Sequence, residues 1–309
     1  MICRCSVTEI HEGKITTRGR MLRVGAALAA PGFGWLLAFL LLPCVGLVVL
    51  AFARRGDYGS VQWVFSLENL RRLAGFGLFG WSPDTLVILE RSAVLAVVTT
   101  VLCLLLALPL AFWIAGFERR TRGLMMALVM VPSCVNLVIR TYAWMLVLGA
   151  HMPPAWLARW AGWIGPEDAL YPGHVAVYLG MVSTMLPFAV LPVYASVERL
   201  DWHVVEAARD LYAGAWRSFR HAVLPQITPG LLAATILTLV PALGMFVVSD
   251  LLGGARTMLL GNLIQQQFGA AADWPFGATV GLFLVAASLV GLAALQRSGR
   301  RLLTEKGAP

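Results

Sequence analysis

The sequence predicts an all-α, polytopic membrane protein with six transmembrane helices. Of its 309 residues, 59% are hydrophobic and only 13% charged, and the mean hydropathy is +0.77, whereas soluble domains carry roughly 25% charged residues. The apolar residues come in long uninterrupted runs rich in Leu, Val and Ala, the length a helix needs to cross a hydrocarbon core, and not in the short alternating segments of a β-barrel. The net charge of +8 is the excess that cytoplasmic loops of membrane proteins hold, and it gives no reason to invoke nucleic acid.

Residues 1–23 carry Arg4, Lys14, Arg18, Arg20 and Arg23 without an apolar core and are expected to form a cytoplasmic tail lacking regular structure. The AALAA after Arg23 has no preceding apolar region, so a cleaved signal peptide is not expected. Six runs free of Asp, Glu, Lys and Arg then lie between Arg23 and Arg54, Arg91 and Glu118, Arg122 and Arg140, Asp168 and Glu198, Arg220 and Asp250, and Asp273 and Arg297. Each is read as one span, the first centred on Trp35 to Phe52. Away from their ends, five of the six contain proline, at Pro43, Pro109, Pro132, Pro187 with Pro192, and Pro241. Such residues bend helices where a transporter needs a cavity or gate, although membrane helices also simply tolerate them.

Orientation follows from Lys and Arg. With the N-terminus inside, sixteen fall on the cytoplasmic side and six in the outer loops, with Arg91 and Arg140 at the membrane boundary. Both termini are therefore expected in the cytoplasm, the C-terminal tail being residues 302–309. The first outer loop, Arg54 to Glu90, contains FSLENLRRL, where Ser66 can cap a short helix. In the second, Trp156, Trp160 and Trp163 suit a helix at the headgroup level. Cys44, Cys103 and Cys134 lie in apolar spans as small hydrophobes, and Cys3 and Cys5 are too few for a metal site.

Between spans four and five lies a charged, helix-forming cytoplasmic loop, residues 199–229, continuing to Gly230. Asp201 can cap a helix through Leu211, Ala207 and Ala208 give a surface that another helix can approach closely, and Gly214 is expected to supply a turn. A second helix from Ala215 should stop before Pro225, and Pro229 suits the start of the fifth span. Val205, Leu211, Trp216, Phe219 and Val223 are expected to hold this helix-turn-helix against the membrane domain, leaving Glu206, Arg209, Asp210, Arg217 and Arg220 for polar contacts. By these residues alone it could equally be an amphipathic interfacial loop.

The segment EAARDLYAGAWRSFRHAVLPQITPG resembles the EAA loop of binding-protein-dependent ABC importer permeases, with Glu206, Ala207, Ala208, Leu224, Pro225, Pro229 and Gly230 at matching spacing. It departs in one place: where the family usually has glycine after Asp-Leu, this chain has Tyr212, with Gly214 two residues later. RTYAW at Arg140 to Trp144, LPFAVLP in span four, VSDLLGG at Val248 to Gly254, GNLIQQQF, and DWPFG at Asp273 to Gly277 are similar to the polyamine branch, for spermidine and putrescine. The resemblance runs from about Pro31 to Arg301, which leaves Met1 and Met21 both open as the initiator.

This resemblance implies a type I ABC importer permease fold, with a permease domain over residues 24–301. It implies a non-catalytic subunit of the bacterial inner membrane working with two ATPase subunits, a second, distinct permease subunit and a periplasmic substrate-binding protein. Related permeases carry iron, sulfate, opines or amino-acid derivatives, and these remain alternative substrates. ATPase coupling is expected at Glu206, Ala207, Ala208, Asp210, Gly214, Leu224 and Pro225. The absence of a G-x-x-x-x-G-K-[ST] loop means ATP hydrolysis must come from another polypeptide. No cofactor or metal is implied. A secondary transporter would place acids within its spans for coupling ions, and the six runs contain none.

Candidates for the substrate pathway are Arg140, Tyr142, Trp144, Asp250 and Asp273. Arg140 could snorkel to headgroups or pair with Asp250 or Glu90 near a gate. An arginine repels a cationic polyamine, so the acids and aromatics would have to attract it. As alternatives, the two aromatics could belong to the interfacial belt, and Asp250 could be a solvated helix-end acid.

Overall fold

Backbone polar groups in lipid must be satisfied internally, and in the computed structural model of this chain helices do so nearly throughout. The structure describes residues 7–77, 80–165, 169–254 and 258–304. Met1, Cys3, Arg4, Cys5 and Asp168, named above, and Arg256 and Lys306, counted among the basic residues, lie outside these. Among the described residues, five helices are long and apolar enough to cross a membrane, and one bent helix pair meets the same standard together.

The chain forms two units, Met1–Leu50 and Ala51–Pro309. The first is essentially helix α1 (Val7–Ala51), which contains the apolar stretch Ala29–Ala51. Residues 7–23 are therefore helical, which corrects the expectation of a tail without regular structure. Pro31 and Pro43 lie inside α1 without ending it.

At the centre of the second unit, helices α3 (Asp84–Ala115), α7 (His174–Glu198) and α10 (Leu224–Gly244) pack on one another. Between apolar helices in lipid there is no hydrophobic drive to associate, so close contact depends on small residues. Ala107 and Ala111 of α3, Ala189 of α7 and Ala234 of α10 are completely buried in the shared core. Closest of all is Gly230 of α10, where a β-carbon would sit only 2.6 Å from the Pro192 carbonyl oxygen of α7 and against the Ser196 side chain.

The run between Arg122 and Arg140, read as one span, is sharply bent. There α4 (Arg119–Cys134) and α5 (Leu137–Val147) meet at a 92° bend. Pro132 lies in the last turn of α4, Val135 is extended, and the Asn136 side chain accepts the Val138 N–H at 2.9 Å to start α5 in its new direction. The prolines of α3 and α7 leave their helices continuous. Of the proline-bearing spans, this is the one that breaks.

The segment between α1 and α3 holds two small antiparallel ribbons and a short helix. β1 (Arg54–Arg55) pairs with β2 (Val61–Gln62), α2 spans Glu68–Leu73, and β3 (Phe76–Gly77) pairs with β4 (Gly80–Trp81). Ser66 does accept the Glu68 N–H, at 3.2 Å, although Leu67 occupies the capping position. Buried Asn69 fixes α2 by donating to the Ala51 and Ala53 carbonyls at 3.0 and 2.8 Å. The expected Trp-bearing helix is α6 (Pro153–Trp160), and its Trp156 and Trp160 are exposed. After α10 come α11 (Val247–Gly253), α12 (Leu260–Phe268) and α13 (Trp274–Thr304). Leu73 of α2, Leu260 and Leu263 of α12, and Phe276 and Val280 of α13 share one apolar cluster.

Candidate functional site

The loop between α7 and α10 is a folded body rooted in the helical core. Asp201 caps α8 (Trp202–Asp210), its carboxylate accepting the His203 N–H at 3.0 Å. Gln226 of α10 closes the root: its Oε1 accepts the Asp201 N–H at 2.9 Å while its Nε2 donates to the Ala222 carbonyl at 2.9 Å. Val205 and Val223 are buried in the same core as Val197 and Leu200, with Ala208 and Phe219 packed against it. Hydrogen bonds and packed side chains thus tie α8 to α7 and α10.

Leu211 and Trp216 depart from expectation, being 81% and 70% exposed. Neither belongs to the buried set that contains Val205. Glu206, Ala207, Asp210 and Gly214 are also exposed, whereas Ala208, Leu224 and Pro225 are half-buried. The expected coupling residues thus divide into an exposed set near the tip and a packed set at the root. Glu206 approaches His203 at 3.7 Å, an ion pair only when the imidazole is protonated.

The turn is not made by Gly214, whose φ of −60° and ψ of 162° are ordinary extended backbone at the start of α9 (Ala215–Ser218). It is made by Tyr212, at φ +58°. The Tyr212 N–H donates to Arg209 at 2.9 Å and the Ala213 N–H to Ala208 at 3.1 Å, the paired bonds that end a helix through one left-handed residue. The turn stays where the family pattern has glycine, and tyrosine adopts the left-handed conformation at a cost of roughly 1–2 kcal/mol. From Phe219 to Val223 the backbone widens into a π-turn before α10.

The α3–α4 connection shares this end of the molecule. Arg122 of α4 approaches Glu198 at the close of α7 at 3.8 Å and donates to the Phe117 carbonyl at 2.6 Å. The pathway candidates lie elsewhere. Arg140, Tyr142 and Trp144 are on α5, which packs on α11, the helix bearing Asp250. Trp144 packs against the apolar cluster that contains Val248 and Leu252, while Tyr142 is half-exposed. Asp250 is exposed and receives one long contact, 3.5 Å, from Asn262, which also accepts the Ser249 hydroxyl at 2.6 Å.

Two candidates have structural employment. The Arg140 guanidinium donates to the Pro132 carbonyl at 2.8 Å, across the α4–α5 bend, and no contact between it and Asp250 or Glu90 is seen among the described residues. It places a cation at the C-terminal end of α4, where helix carbonyls lack partners. Arg140→Ala should destabilise the protein by about 1.5–3 kcal/mol, the value of a charged hydrogen bond, with Arg140→Lys intermediate, as measured by thermal unfolding in nanodiscs. Asp273 is fully buried and bound by Arg72 at 2.9 Å and Arg55 at 3.6 Å. It stands apart from the α5–α11 group.

Sequence reasoning missed Gln226, whose partner Asp201 is 25 residues away with no periodic relation. It also missed a cavity of about 430 Å³ at the starts of α3 and α7, lined by Glu90, Arg91, His174 and Tyr178 among others. Only the charge of Glu90 hinted at it.

Residues 107–304 match the family described as binding-protein-dependent transport system inner membrane component. The chain belongs to that family, and it is a multi-pass inner-membrane protein. It is 35% identical over 269 residues to the spermidine/putrescine transport system permease protein PotB of Escherichia coli (strain K12), covering 87% of this chain and 95% of that one. To the PotB of Salmonella typhimurium (strain SL1344) it is 36% identical over 251 residues, covering 81% and 85%. Among solved structures, a chain of a bacterial alginate ABC transporter, crystallised with a periplasmic protein carrying an alginate pentasaccharide, superposes with a TM-score of 0.69 at 17% identity, covering 94% of this chain and 97% of that one. That likeness establishes the fold.

Proposed function

We propose that this chain is one of two distinct permease subunits of an ATP-driven importer of polyamines. In this reading it has six spans and cytoplasmic termini, two ATPase subunits engage the permease pair from the cytoplasm, and a periplasmic binding protein delivers spermidine or putrescine to the outer loops. The single observation that carries it is the loop of residues 199–229, with its root fixed by Gln226, Val205 and Val223 and its tip exposed. The Lys and Arg distribution supports a cytoplasmic position for the loop, and the Arg122–Glu198 contact sets the α3–α4 connection, rich in arginine, on the same face. The polyamine assignment is supported by the near full-length similarity to PotB.

Closure of the ATPases on ATP would move α8 and, through its root, the packed α7 and α10, biasing the bundle between inward-open and outward-open states. The chain itself performs no bond chemistry. Glu206, 70% exposed at its side chain, makes no contact that the fold depends on. Glu206→Lys should therefore leave the melting temperature unchanged while reducing ATP-dependent spermidine or putrescine uptake at least 10-fold in cells that express the complete transporter. Uptake at the wild-type rate would overturn the coupling assignment. Uptake of neither polyamine by the unaltered transporter, with transport of sulfate or iron instead, would overturn the substrate.

A further inference from the structure

We infer that Tyr212 is an aromatic anchor seated in the ATPase subunit, and that its ring, not its backbone, is why tyrosine occupies the left-handed turn of the loop. The inference rests on the reading of residues 199–229 as the ATPase-docking loop and assigns a recognition residue within it. Three observations carry it.

First, Tyr212 sits at φ +58°, where a β-carbon is strained and glycine is not. Nothing about stopping α8 calls for tyrosine there, because the two capping hydrogen bonds come from the backbone N–H groups of Tyr212 and Ala213. Second, the side chain returns nothing to this chain, being 96% exposed. A large ring held in an unfavourable backbone conformation without internal packing gains its stabilisation from something outside the chain.

Third, its surroundings have the composition of a recognition surface. Leu211 precedes it at 81% exposure, and Trp216 opens the next helix at 70%. Tyrosine and tryptophan dominate the binding energy of protein interfaces because they bury large area at low conformational cost. Charges of both signs accompany them, with Glu206 and Asp210 exposed beside Arg209 and Arg217. A mixed-charge border suits a protein partner, whereas an anionic lipid surface would repel the acids. The turn is also the part of the loop furthest along the chain from both roots, six residues after the exposed Glu206.

The test uses the complete transporter, purified in mild detergent with the ATPase untagged, and compares Tyr212→Gly, Tyr212→Ala and Tyr212→Phe. Glycine relieves the strain and removes the ring, alanine keeps the strain without the ring, and phenylalanine keeps both. Tyr212→Gly should raise the melting temperature of the permease yet lower the retained ATPase at least 5-fold, with uptake falling in parallel. Tyr212→Ala should lose ATPase to the same extent, and Tyr212→Phe should keep it. A Tyr212→Gly transporter that retains ATPase as well as wild type would overturn the anchor and leave a turn residue only. So would retention unchanged in detergent combined with weaker association of the loop with anionic vesicles, which would make the ring a lipid contact. An unaltered transporter that retains no ATPase would instead overturn the underlying docking assignment, so the two failures are distinguishable.

Discussion

Gly230→Leu should yield a chain that cannot assemble its membrane core, and Gly230→Ala should already cost about 2–3 kcal/mol. A β-carbon at this position meets the Pro192 carbonyl oxygen at 2.6 Å and the Ser196 side chain. The serine could rotate, but a backbone carbonyl in the middle of α7 cannot withdraw without moving the helix. α7 and α10 would then separate along the core that contains Ala189, Val193 and Ile227. The same two helices carry the root of the loop proposed to engage the ATPase, so transport should fall with stability. Thermal unfolding and polyamine uptake should both decline in the order glycine, alanine, leucine. Uptake by a Gly230→Leu transporter at the wild-type level would show that α7 and α10 need no such approach.

Asp273→Asn should destabilise the protein by about 3 kcal/mol, the low end for breaking a buried ion pair, because its arginine partners remain partly exposed. The carboxylate is fully buried and binds Arg72 and Arg55, which come from α2 and β1. Arg72 also lies 4.3 Å from the centre of the Phe276 ring, and Asp273 accepts the Phe276 N–H at 3.3 Å as α13 begins. One acid therefore pins the segment preceding α3 to the start of α13. Asparagine keeps the oxygen that caps the helix but loses the charge. Asp273→Ala should lose roughly a further 1 kcal/mol with the cap. Chemical or thermal unfolding gives these values, and the KM for uptake by the folded protein should remain unchanged. A raised KM at unaltered stability would return Asp273 to the substrate pathway.

Glu206, Leu224, Pro225 and Gly230 were legible in sequence because their chemistry is local. A charged stretch between apolar runs marks the loop, but its prolines mark no boundary: helical backbone runs from Ala215 to Gly244, with Pro229 inside α10 and not at the start of a span as expected. Leu211 and Trp216 were misassigned for a related reason. Apolar character at helical spacing indicates a packed face when the helix has one neighbour, but α8 and α9 offer one face to the core and another outward. The bend in the third run was not legible because 17 charge-free residues carry no record of direction; Val135, Asn136 and the reach of Arg140 back to Pro132 accompany the divergence of α4 and α5.

By itself the sequence determined the class of protein, the family and the position of the folded loop between α7 and α10. Hydrophobic run length and motif spacing are properties of neighbouring residues, and no long-range contact is needed to read them. Only the tertiary structure decided that Asp273 is a pin, that Arg140 closes a bend, and that Tyr212 takes the left-handed turn. Each of these depends on which atoms the folded backbone brings within hydrogen-bonding distance, or on a single backbone angle, and neither is written in the composition of the segment concerned.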